Sequence, residues 1–123
     1  MARGLILFAH GARDPLWAEP FEVLAARVRS LTPSTAVRLA FLELMQPDLD
    51  AAAADLVKAG IDTIRIVPIF FGQGGHVRQD LPERVTALRA KYVKTEFECA
   101  QPAGEDGAVL DAIARFCVRG LDE

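Results

Sequence analysis

Two histidines and one glutamate carry most of the chemistry that this 123-residue chain can do. His10 and His76 are its only histidines. His10 follows the apolar run Leu5 to Ala9. His76 follows the longer run Ile64 to Phe71 and the segment Gly72-Gln-Gly-Gly75. Glu43 follows a third apolar run, Ala36 to Leu42. Two imidazoles and a carboxylate suit a borderline divalent ion such as Zn, Fe, Co or Ni. An incomplete set of protein ligands leaves coordination positions open to a substrate. A neutral imidazole is also a base near physiological pH. Each residue alone has a plainer use: His10 in a turn, Glu43 as a cap for the helix after Pro47, His76 as a cap for its own helix. Only their joint placement points to a site.

The elements that must position them follow from periodicity. The run Leu5 to Ala9 is apolar throughout and reads as a strand buried on both faces of a parallel sheet. Asp14-Pro15 is a helix start, with Asp as N-cap and Pro at the first helical position. The helix is predicted to reach about Leu31, with Trp17, Phe21, Leu24, Val28 and Leu31 packed on the sheet. Trp17 also suits the mouth of a pocket; its place in this row favours the core. After the turn Thr32 to Thr35, a second strand spans Ala36 to Leu42. Pro47-Asp48 opens a second helix, and Gly60 is its C-cap candidate. The third strand is Ile64 to Phe71, with a bulge or distortion expected at Pro68, which has no N–H for a ladder. A helix from about His76 carries Val77, Leu81, Val85 and Leu88 on one face, and Pro82 predicts an irregular start. Lys94 to Cys99 is a weaker edge strand with charges at alternate positions. A last helix, about Glu105 to Val118, has Val109, Leu110, Ile113, Phe116 and Cys117 as its apolar face.

Strand and helix alternate four times, which implies an α/β domain spanning residues 1–123. It has a four-stranded parallel sheet and helices on both faces. Right-handed crossovers favour the order 2-1-3-4, with a switch point between strands one and three. His10, Glu43 and His76 then converge on the carboxyl edge of the sheet, where ligands bind in open α/β folds.

Composition narrows the partners. The chain is 51% hydrophobic with 25% charged residues, enough for a folded core and too apolar for disorder. A net charge of -3 gives no nucleic-acid or anionic-membrane surface. Its apolar runs are too short for a membrane span or a signal sequence, and the expected location is cytoplasmic. Cys99 and Cys117 form no C-x-x-C pair and read as small buried apolar residues. The His10-Gly11 pair lacks the preceding Arg of phosphatases that use a phosphorylated histidine; Ala9 stands there. The glycine-rich segment lacks both G-x-G-x-x-G spacing and a Walker lysine, and no nucleophile elbow is present.

Three motifs together resemble a known family. Ala9-His-Gly-Ala-Arg-Asp14 is the first, and Phe41-Leu-Glu43 with Pro47 is the second. The third is Pro68-Ile-Phe-Phe-Gly-Gln-Gly-Gly-His76 followed by Asp80-Leu-Pro82. They are similar to the small sirohydrochlorin cobaltochelatases of the CbiX type, class II tetrapyrrole chelatases with a flavodoxin-like half-domain. The likeness covers about Leu5 to Gln101. Beyond it, Gln101 to Gly107 stands where that family has a Leu-Gly segment with a further histidine. The resemblance implies insertion of Co(II), Fe(II) or Ni(II) into sirohydrochlorin or a related tetrapyrrole, without a nucleotide and in a homodimer. It implies that His10 and His76 handle the metal and the pyrrole protons while Glu43 assists. Arg13 and Arg78 are candidates to pair with the acidic substrate, and Gly74 and Gly75 to admit it closely. A non-catalytic metal or tetrapyrrole carrier on the same edge, or a hydrolase of flavodoxin-like topology, are the competing readings.

Overall fold

The apolar run after Gly4 forms the centre of the molecule. A computed structural model describes residues 2–121, and at His76 the backbone alone. The strands are β1 (Arg3–Ala9), β2 (Ala36–Phe41), β3 (Thr63–Pro68) and β4 (Glu96–Cys99), all parallel in the order β2-β1-β3-β4. The helices are α1 (Glu19–Leu31), α2 (Leu49–Lys58), α3 (Gly75–Lys91) and α4 (Gly107–Val118). The predicted order therefore holds, with β1 and β3 flanking the switch point.

Strand pleating sends alternate side chains to opposite faces, and both faces are covered. Ile6, Phe8, Ile64 and Ile66 meet Leu49 and Leu56 of α2 and the predicted face of α3, Val77, Leu81, Val85 and Leu88. Leu7 and Val37 on the other face meet Ala25, with Leu24 and Val28 of α1 packed beside them. Each large aliphatic side chain buried this way contributes about 1.5–3 kcal/mol of hydrophobic stabilisation. The ends of α2 follow the local signals. The Asp48 carboxylate accepts from the Ala51 N–H at 2.8 Å, and Gly60 leaves the helix at φ 88°.

Five expectations are corrected. Pro15–Ala18 is a 3-10 turn, capped by Asp14 through the Leu16 N–H at 3.0 Å, and the α-helix starts only at Glu19. Leu31 is 84% exposed, whereas Leu24 and Val28 of the same row pack beside Leu7 and Val37. β3 ends at Pro68 with no bulge; one further ladder bond, Ile69 N–H to Phe8 O at 2.7 Å, precedes the loop. Pro82 lies inside α3 without interrupting it. The largest departure is α4. None of its residues is buried, Phe116 is 65% and Val118 57% exposed, and Cys117 is exposed instead of buried. Val109 and Ile113 line an apolar cavity of about 240 Å³ with Phe21, Phe70 and Phe71. Cys99, in β4, is half-buried, and burial pushes its thiol pKa up.

Candidate functional site

The carboxyl edge of the sheet is tied together by backbone. Beyond the ends of β1 and β2 the ladder continues: Leu42 N–H donates to Ala9 O at 2.8 Å and Glu43 N–H to His10 O at 3.0 Å. This puts the backbones of His10 and Glu43 side by side. Gly11 makes the junction possible. Its φ is 94°, and a Cβ there would stand 1.9 Å from the Glu43 carbonyl oxygen. The chain then turns at Leu44, with φ 65°, and returns so that Phe41 N–H donates to Pro47 O at 2.9 Å. The Glu43 side chain is left exposed, and its carboxylate makes no hydrogen bond or ion pair among the described residues.

The third contribution comes from the loop between β3 and α3. Phe70 is 7% exposed and lies against His10, with ring centroids 4.3 Å apart and planes at 33°. Phe71, one residue on, is 66% exposed at the same edge. Gly74 is the N-cap of α3 and Gly75 its first residue, so the His76 backbone lies in the first helical turn. A glycine N-cap offers no side-chain acceptor, which leaves the first N–H groups of a 17-residue helix open toward an anion. The side chain of His76 lies outside the described residues. Among the described residues, no three His, Cys, Asp or Glu side chains are grouped to hold a metal ion.

Neither candidate arginine makes an ion pair among the described residues. Arg13 is exposed and lines a cleft of about 540 Å³ between α1 and the segment 44–47, with Glu22, Arg29, Phe41 and Met45. Arg78 is exposed and donates to Gln73 O at 3.1 Å, holding the glycine-rich loop onto α3. Sequence reasoning gave no part to Phe70 or Gly104. Gly104 N–H donates to Phe70 O at 2.9 Å, and a Cβ on Gly104 would stand 2.2 Å from Phe71 Cα. The segment after β4 therefore clamps the loop that leads to His76. The available signal was a glycine just after Pro102-Ala103, placed to follow the last strand.

Comparison with known proteins agrees with this geometry. A profile of the CbiX family matches residues 4–117. The sirohydrochlorin cobaltochelatase of Sulfolobus acidocaldarius is 33% identical, over 96% of this chain and 92% of its own length. The sirohydrochlorin ferrochelatase of Bacillus subtilis is 22% identical over 92% of this chain, which corresponds to 43% of that longer protein. The crystal structure of a CbiX protein from Marinobacter aquaeolei VT8 superposes with a TM-score of 0.84 at 30% identity, covering 97% of both chains. With four parallel strands in the order 2-1-3-4 and a family match across nearly its whole length, this chain belongs to the CbiX family.

Proposed function

We propose that this chain is a sirohydrochlorin chelatase that inserts Co(II) or Fe(II), with Ni(II) as a further candidate metal. One juxtaposition carries the reading. In a CbiX chain, the backbones of His10 and Glu43 lie side by side at the carboxyl edge of the sheet, and Phe70, in the loop that leads to His76, lies against His10. The metal is a substrate. Metallation exchanges two pyrrole N–H protons for one divalent ion, so the site must supply a base and a place for the ion. His10 and His76 do both: an imidazole lone pair either takes a pyrrole proton or holds the metal. Glu43 offsets the ion's charge and passes protons to solvent, for which its exposure suits it. Arg13 and Arg78 pair with substrate carboxylates, and Gly74 and Gly75 let the macrocycle approach the open N–H groups of α3. No nucleotide takes part.

The active form is a homodimer. The exposed edge gives a flat tetrapyrrole one wall, and a second copy supplies the other. The uncovered apolar residues of α4, Phe116 and Val118 among them, support pairing because a helix this apolar gains by being covered. No described helix is long and apolar enough to cross a membrane, and the proposed location is the cytoplasm. The test is to follow sirohydrochlorin absorbance with Co(II), Fe(II) and Ni(II), with and without the chain. A chelatase raises the insertion rate catalytically. Stoichiometric binding with no rate increase would identify a carrier instead.

A further inference from the structure

A metal-handling histidine is ordinarily oriented by a hydrogen bond from its second ring nitrogen to a carboxylate or carbonyl. His10 has no such partner: among the described residues its imidazole makes no hydrogen bond or ion pair, and its contact is the Phe70 ring. Phe70 is itself held by its neighbours. The preceding Ile69 N–H donates to Phe8 O at 2.7 Å, and Gly104 N–H donates to Phe70 O at 2.9 Å. Its ring packs on Phe8, with centroids 5.9 Å apart.

We infer that Phe70 is the positioning residue for His10, replacing the missing hydrogen bond with an aromatic wall. The inference rests on the assignment of metal handling to His10. A flat ring 4.3 Å away, tilted by 33°, restricts rotation of the imidazole about its side-chain torsions. The contact is ring against ring, and the imidazole nitrogens lie on the ring edge, away from the face that Phe70 meets. The lone-pair nitrogen of the neutral imidazole can then meet either a metal ion or a pyrrole proton, while the other nitrogen keeps its N–H. An aliphatic side chain in the same place fills the volume but offers no plane.

The test is a cycle between Phe70 and His10, read in two ways: Co(II) affinity of the chain alone, and kcat and KM for metallation. Phe70→Leu and Phe70→Met remove the plane, and Phe70→Tyr keeps it; thermal melting checks that each variant folds. A misplacement of about 1 Å at a reacting group lowers turnover about 10²-fold. The expected result is a loss of that order in kcat for Leu or Met, KM held within about twofold, weaker Co(II) binding, and rescue by Tyr. With His10→Ala already in place, Phe70→Leu should change neither readout further. Equal loss in both backgrounds, or no loss in either, overturns the positioning role alone. If His10→Ala by itself behaves like the unmutated chain, the assignment of His10 falls, and that of Phe70 with it.

Discussion

Replacing Gly11 by Ala tests whether the backbone junction at the carboxyl edge holds the site in shape. The new methyl group would arrive 1.9 Å from the Glu43 carbonyl oxygen, well inside contact distance, and Gly11 sits at φ 94°, where an L-residue is strained. The backbone strain alone is worth about 1–3 kcal/mol. Relieving the overlap requires the Glu43 peptide to move by about an ångström, since ordinary carbon–oxygen contacts lie beyond about 3 Å. That movement breaks the 3.0 Å bond from Glu43 N–H to His10 O, worth about 0.5–1.5 kcal/mol. A total near 2–4 kcal/mol follows, which for a chain of this length lowers the melting temperature by about 10 °C. Thermal and urea denaturation at one fixed protein concentration measure it, because pairing makes stability concentration-dependent. Metallation should fall more than the stability loss explains at a temperature where the variant is folded, because His10 and Glu43 no longer share their register. A variant that melts within about 1 kcal/mol of the parent and turns over normally would refute the reasoning.

Leu56→Ala, at a fully buried position between α2 and the sheet, should destabilise by about 2–5 kcal/mol in urea while Co(II) affinity at low temperature stays unchanged. Burial favours the neutral thiol of Cys99, so at mildly alkaline pH a thiol reagent should label it more slowly than a free cysteine; labelling at the free rate would contradict this. The same shift makes the thiol ionise at lower pH in the unfolded chain. Cys99 should therefore cost no stability at neutral pH and reduce it as pH rises past the ordinary thiol range. Phe116→Asp places a charge on the exposed face of α4, away from the core, and should leave the monomer fold intact. Sedimentation should then show monomers, and metallation should drop.

Much of the fold was legible because its determinants are local. The buried face of α3 repeats as Val77, Leu81, Val85 and Leu88, and Asp48 announces α2 by capping it, as Asp14 caps the 3-10 turn before α1. Four strand–helix alternations with right-handed crossovers leave few orders besides the one observed. What failed has a common cause: an apolar pattern reports burial without saying against what. Phe70 continues the run of β3, yet it is buried against His10 in a loop, beyond the last paired residue Pro68. The apolar face of α4 is real, but nothing in its spacing says whether its own sheet or another surface covers it. The junction at Gly11 and Glu43 and the clamp at Gly104 are contacts between segments far apart in sequence, so no single-segment pattern contains them. The convergence of His10 and Glu43 was legible only through topology, since parallel strands bring their carboxyl ends to one edge.

The central claim is that the two histidines carry metal insertion, and it is tested most directly by the initial rate of Co(II) insertion into sirohydrochlorin by His10→Ala and His76→Ala. Each variant should lose about 10²–10⁴-fold, with melting curves that match the parent, because both residues lie in loop or first-turn positions at the edge of the sheet. Insertion by both variants at the parent rate, with the protein-free reaction demonstrably slower, would contradict it.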